Sequence, residues 1–127
     1  INYPIFVITN QSGIGRGYYS LEEFEKLTRY MIDAFKKRGI DITKVYYCPH
    51  APDDGCSCRK PNPKMILDAA KEYDINLSKS IFIGDKESDM QAAQNAHIGT
   101  KILIGNESKI ADTIVQNIKQ IKGLNSV

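Results

Sequence analysis

Four short apolar runs, 4-PIFVIT-9, 43-TKVYYC-48, 80-SIFIG-84 and 100-TKILIG-105, are separated by amphipathic stretches, and this alternation constrains the fold more than any other feature. The runs are rich in β-branched and aromatic residues and too short for buried helices, so each reads as a strand. After the first, Ser20 with Glu23 three residues on makes a capping-box signature. Leu21, Phe24, Leu27, Met31 and Phe35 then recur at helical spacing until Gly39, which predicts a helix of about 18 residues. Pro61, Asn62 and Pro63 open another helix, whose stripe of Met65, Ile66, Ala69, Ala70 and Tyr73 is expected to be mostly core. A third helix is expected from Asp89 to Ala96 and a last from Ser108 to Ile121, with 10-NQSGIGRG-17 as a polar loop. Strands alternating with helices at this spacing imply an α/β fold, a three-layer Rossmann-like sandwich with a mostly parallel sheet. With 127 residues and no linker, repeat or low-complexity segment, one domain spanning 1–127 is expected.

In such sheets ligands bind beyond the C-terminal ends of the strands. The stretches 9-TNQSG-13, 48–60 and 85-DKESD-89 all leave strand ends and are expected to share one rim. The net charge of +2, without a long block of like charges, argues against nucleic-acid and membrane-surface partners. No apolar run approaches the roughly 18 residues of a membrane span, and the front of the chain lacks a signal-peptide pattern, so a cytoplasmic location is expected. No exposed stripe argues for an interface, so a monomer is expected. The chain begins at Ile1 and runs almost at once into a strand, which reads as a domain joined after its true start.

The stretch 48-CPHAPDDGCSCRKPNP-63 holds all three cysteines and one of the two histidines. Cys48-x-His50 and Cys56-x-Cys58 put three thiolates and an imidazole on two tight arms, a set suited to structural four-coordinate zinc that would staple the loop. Free thiols and a disulfide are the alternatives. A ring between Cys56 and Cys58 would be strained, and zinc uses every one of these ligands without remainder. His97, in 95-NAHIG-99 after a helix, reads instead as a capping or surface residue.

Arg59 and Lys60 end the same loop, offering a planar fork and a compact charge to phosphate oxygens; an isolated basic pair would be ordinary solvated surface. Thr9 and Asn10 bring a hydroxyl, an amide and backbone N–H groups to a strand end, which suits an anion but also an ordinary turn. Asp85 follows a strand and can reach Mg²⁺. Asp89 can support it, pair with a lysine, or serve only as a first-turn acid of a helix. These groups form a phosphoryl-transfer inventory, yet no Asp-x-Asp stands at a strand end to supply a nucleophile.

The order of Thr9 at a strand end, Arg59-Lys60-Pro61, and Gly84-Asp85-Lys86-x-x-Asp89 resembles the second, third and fourth motifs of haloacid dehalogenase superfamily phosphatases. Within it, 9-TNQSGIGRGYYS-20, the cysteine loop and 84-GDKESDMQAA-93 resemble the heptose 1,7-bisphosphate phosphatases, with the histidinol-phosphate phosphatases as nearest relatives. The resemblance implies a Mg²⁺-dependent phosphatase that removes the C7 phosphate of a phosphorylated sugar through a phosphoaspartate, in the assembly of lipopolysaccharide. It implies that Thr9 and Asn10 bind phosphate, Arg59 contacts substrate, and Lys60 steadies the nucleophile and the transferred group. It further implies that Asp85 binds Mg²⁺, Lys86 lies beside the phosphate, Asp89 is a supporting acid, and Cys48, His50, Cys56 and Cys58 hold zinc. The first motif of these families, an Asp-x-Asp-Gly, is absent from the sequence and is expected upstream of Ile1. Two other functions compete: histidinol-phosphate phosphatase, and a non-catalytic zinc-stapled phosphosugar-binding fragment.

Overall fold

A computed structural model describes residues 3–116. Two compact units divide the chain, one running Tyr3–Arg59 and the other beginning at Lys60.

In the first unit β1 (Ile5–Asn10) pairs in parallel with β2 (Ile42–Cys48), Thr9 standing opposite Tyr47 and Asn10 opposite Cys48. A parallel pair needs a long crossover, and α2 (Leu21–Lys36) provides it. Its start is as the sequence specifies: Glu23 N–H donates to Ser20 Oγ and Ser20 N–H to Glu23 Oε1, each at 3.0 Å. Within the apolar stripe only Phe24 is buried, its ring 4.8 Å from that of Tyr47, while Leu21, Leu27 and Phe35 are exposed. Residues 10–17 are not simply a loop. They include α1 (Ser12–Gly15), one turn that a Ser-Gly-Ile-Gly sequence forms only because Gly15 lies against the next loop. A Cβ there would sit 2.6 Å from Ala51 N and 2.8 Å from Pro49 O.

The second unit contains α3 (Lys64–Tyr73), β3 (Ile81–Gly84), α4 (Glu87–Asn95), β4 (Thr100–Ile104) and β5 (Thr113–Val115), with strand order β3-β4-β5 and both pairings parallel. Its buried apolar side chains are Met65, Ile66 and Ala69 of α3, Met90, Ala92 and Ala93 of α4, and Ile102, Leu103 and Val115; Ile102 and Val115 form a cluster, with Ile104 packed against them. Tyr73, expected in the stripe of α3, is exposed, and Ala70 is half-buried. At the end of α4, His97 adopts φ +60° and its N–H donates to Gln94 O, while Ile98 N–H donates to Ala93 O. These are the two bonds of a Schellman cap, so His97 takes the capping role its position suggests.

Two helix expectations need correction. α4 begins at Glu87 rather than Asp89, because the Asp89 carboxylate reaches back one turn and caps the backbone from inside the helix. The expected helix from Ser108 does not form over 108–116. Ser108 Oγ accepts from Ile110 N–H and Ala111 N–H, closing a local turn, and the β-branched run Thr113-Ile114-Val115 then extends beside β4. The remainder of that expected helix, 117–121, lies outside the described residues.

Candidate functional site

The strand end at Thr9 is organised by side chains further along its own loop. Tyr19 Oη donates to Gln11 Oε1 at 2.5 Å, and Gln11 Nε2 donates to Thr9 Oγ1 at 2.9 Å. Gln11 N–H also donates to Cys48 O at 2.7 Å, so the end of β1 is tied to the end of β2 where the cysteine loop begins. Thr9 and Asn10 are half-buried.

The cysteine loop brings its four expected ligands together. Cys48 Sγ lies 3.4 Å from Cys56 Sγ, 2.6 Å from Cys58 Sγ and 3.6 Å from His50 Nδ1, and Cys58 Sγ lies 3.3 Å from His50 Nδ1. All four donor atoms fall within 4.8 Å of one another, and the three cysteines are free thiols. Three soft donors and an imidazole at this separation can hold one metal ion. Cys48 is fully buried, and burial, reinforced by its contact with Cys58, pushes its thiol up to about 12. At Cys56 desolvation also pushes upward, but the hydrogen bonds from Cys48 and from the backbone N–H groups of Arg59 and Cys58 outweigh it and bring the thiol down to about 7. The 3-10 turn Pro52–Asp54 between the arms is closed by Ala51 N–H donating to Asp54 Oδ2 at 2.7 Å.

Arg59 ends the first unit, and its Nη1 is buried without a hydrogen-bond partner among the described residues. An unpaired buried donor costs about 1–3 kcal/mol, and more when it is charged, so this nitrogen is suited to an anionic oxygen that the described residues do not supply.

In the second unit the functional side chains gather where β3 passes into α4. Lys60 Nζ donates to Asp89 Oδ1 at 2.5 Å, both side chains being nearly enclosed at 11 % and 7 % exposure. The other carboxylate oxygen, Oδ2, accepts from Asp85 N–H at 3.2 Å and from Lys86 N–H at 3.1 Å. Asp89 is therefore a hub, and Gly84 makes room for it: a Cβ on residue 84 would come within 2.5 Å of Asp89 Cβ. Asp85 and Lys86, whose backbones Asp89 holds, expose their side chains.

Sequence reasoning passed over three residues that shape these sites. Gln11 and Tyr19 lie inside a quoted motif, and a phenol eight residues from a strand-end amide was the only signal for their pairing. Glu87 binds Ser108 Oγ through one carboxylate oxygen and accepts from Lys109 N–H at 2.8 Å through the other, pinning the loop after β4 to the first turn of α4. These two bonds, the backbone one foremost, hold the Glu87 carboxyl below the ordinary range. Twenty-one residues separate the partners, and no local pattern announces such a tether.

Comparison with known proteins places the chain as a whole. The HAD-hydrolase-like family model matches residues 57–119. The D-glycero-alpha-D-manno-heptose-1,7-bisphosphate 7-phosphatase of Campylobacter jejuni is 52 % identical over 122 residues, covering 94 % of this chain and 70 % of that protein. The D-glycero-beta-D-manno-heptose-1,7-bisphosphate 7-phosphatase of Helicobacter pylori strain 26695 is 50 % identical over 105 residues, covering 82 % of this chain and 61 % of that one. Among solved structures, the D,D-heptose 1,7-bisphosphate phosphatase of B. bronchiseptica complexed with magnesium and phosphate superimposes with a TM-score of 0.76 at 36 % identity, over 80 % of this chain and 56 % of that one. The chain thus spans between about half and two-thirds of most relatives it matches. With motifs, parallel strand pairings and extended identity in agreement, the chain belongs to the heptose-1,7-bisphosphate 7-phosphatase family of HAD-like hydrolases.

Proposed function

We propose that the protein is a Mg²⁺-dependent phosphatase that removes the C7 phosphate of D-glycero-D-manno-heptose 1,7-bisphosphate, working through a phosphoaspartate, for the assembly of nucleotide-heptose and lipopolysaccharide core. The observation that carries this reading is the enclosed Lys60–Asp89 pair beside an exposed Asp85. A lysine held rigidly by a carboxylate gives a fixed positive charge, which stabilises negative charge developing on a transferred phosphoryl group without reorganising during reaction. Asp85 presents a hard carboxylate oxygen that suits Mg²⁺, and a bound Mg²⁺ neutralises phosphoryl charge. Lys86 lies beside the phosphate, and Asp89 acts as the supporting acid by holding Lys60 and the backbone of Asp85.

In the first unit, Thr9 and Asn10 bind phosphate, and Arg59 takes the substrate anion that its unpaired Nη1 calls for. The nucleophile is not among residues 1–127, which contain no Asp-x-Asp. The residues of this chain supply binding, orientation and charge.

Cys48, His50, Cys56 and Cys58 hold a structural zinc ion in this reading. Around tetrahedral zinc, ligand sulfurs stand about 3.8 Å apart and sulfur to nitrogen about 3.6 Å. Three of the observed separations, 3.3, 3.4 and 3.6 Å, are near those values, while Cys48 and Cys58, at 2.6 Å, would have to part for both to hold the ion. Four protein ligands leave no open position for a reactive water, so the ion orders the loop that ends at Arg59. The substrate is a small phosphosugar, and the protein works as a cytoplasmic monomer; among the described residues no helix is long and apolar enough to cross a membrane.

The test compares kcat/KM for the heptose bisphosphate and for histidinol phosphate on intact protein with Mg²⁺. A preference of at least about a hundredfold for the heptose bisphosphate is expected, as for sites that read substrate hydroxyls by hydrogen bonds. Preference for histidinol phosphate, or phosphate binding without turnover, would overturn the assignment.

A further inference from the structure

None of the roles above uses the hydroxyl of Tyr19, yet it is held firmly in the first unit. Its ring lies against the backbone of Gly13, where a Cβ would come within 2.2 Å of Tyr19 Cε1. The ring is therefore placed by the absence of a side chain at residue 13, and its hydroxyl meets Gln11 Oε1 at 2.5 Å.

Donor and acceptor counting along this line has a directional consequence. A phenol has one proton to donate, and donating it to Gln11 Oε1 turns the amide nitrogen the other way, toward Thr9 Oγ1 at 2.9 Å. That N–H occupies one lone pair of the Thr9 hydroxyl and leaves its proton unspent. Among the described residues the acceptor recorded for that proton is the Asn10 carbonyl at 3.4 Å, the outer limit of a hydrogen bond. With the amide reversed, Thr9 would donate to Gln11 and turn lone pairs toward any incoming anion.

We propose that Tyr19 is a positioning residue which, through Gln11, fixes the polarity of the Thr9 hydroxyl so that it donates its proton to a phosphate oxygen of the substrate. The inference rests on the phosphatase reading of Thr9 and adds a residue that touches no substrate.

The experiment is a double-mutant cycle on intact protein, reading kcat and KM for the heptose bisphosphate in Tyr19→Phe, Thr9→Val, Thr9→Ser and the combinations. Tyr19→Phe keeps the ring against Gly13 and removes only the proton donor, and its thermal melt serves as a check on folding. It should lower kcat/KM about fivefold to tenfold, a fraction of the hundredfold or more that removal of a transition-state hydrogen-bond donor costs. The same substitution should have no effect in the Thr9→Val background and should keep its effect with Thr9→Ser, which retains a hydroxyl. A purely structural role for Tyr19 would lower activity equally in every background. Equal losses in the wild-type and Thr9→Val backgrounds, or a silent Tyr19→Phe beside an impaired Thr9→Val, would overturn the relay alone. A silent Thr9→Val would overturn the phosphate-binding role of Thr9 and the relay with it.

Discussion

The pair between Lys60 and Asp89 invites a quantitative test because its two members are nearly enclosed and its removal is not symmetrical. Asp89→Asn preserves volume and leaves an oxygen to accept from Asp85 N–H and Lys86 N–H, but it takes the counter-charge away from a lysine whose side chain is 11 % exposed. Breaking such an enclosed pair by neutralising one partner typically costs about 3–5 kcal/mol. Domains of this size are stable by about 5–15 kcal/mol, so about a fifth or more of the total is at stake, and Tm should fall by roughly 10–20 °C. Urea denaturation followed by circular dichroism measures the loss as a shift in midpoint at constant m value. The decisive variant is Lys60→Met with Asp89→Asn, which removes the stranded charge while methionine replaces the lysine stem. The double variant should recover most of the stability and lie within about 1–2 kcal/mol of the wild type, while remaining catalytically inert. If Asp89→Asn costs less than about 1 kcal/mol, or if the two losses simply add, the pair is not the enclosed, mutually dependent unit described above.

The other expected outcomes concern the loops. Purified protein should carry one zinc per chain by atomic emission, and Cys58→Ala should lose it together with protection of amides 49–58 from hydrogen exchange, since metal ligation contributes on the order of 10 kcal/mol to such loops. A Cys58→Ala protein that retains stoichiometric zinc would remove Cys58 from the ligand set. Gly15→Ala should destabilise the first unit by about 1–3 kcal/mol, because its Cβ meets the rigid backbone of Ala51 and Pro49 rather than a yielding side chain; an unchanged urea midpoint would contradict this. Glu87 has a folded-state pKa depressed below its ordinary 4.5, so its tether contributes stability above that pH and loses it as the pH falls through the lower, folded value. Exchange of the Lys109 amide should accelerate over that acidic range, and Glu87→Gln should abolish the pH dependence; an amide indifferent to acid would refute the tether.

How far the sequence discloses this molecule depends on the range of the interactions involved. The capping box at Ser20 and Glu23 was legible because donor and acceptor lie within one turn, and the gathering of three thiols and an imidazole because all four fall between Cys48 and Cys58. The parallel pairings followed from alternation alone, since successive buried strands joined by helices have few other arrangements. Ser108 misled because a serine that closes a local turn looks in sequence like a helix cap. The choice was made by the pairing of Thr113–Val115 with β4, which no local pattern contains. The exposed leucines of α2 show the same limit from the other side, for helical periodicity reports which face is apolar and not what covers it.

What the structure adds to the motifs is a reason for their spacing. Gln11 lies two residues past Thr9 and spans two directions at once, its side chain reaching Thr9 while its backbone N–H holds the carbonyl of Cys48. Gly15, four residues on, lets α1 sit against the backbone of 49–51, the stretch that follows Cys48 and contains His50. The cysteine loop and the end of β1 thus meet at two places, the Gln11 N–H bond to Cys48 O and the approach of Gly15 to residues 49–51. Gln11 and Gly15 are in this sense part of the cysteine loop's foundation. If Thr9 binds phosphate as proposed above, such an attachment would matter for rate, because misplacement of a binding residue by about 1 Å is enough to forfeit two orders of magnitude.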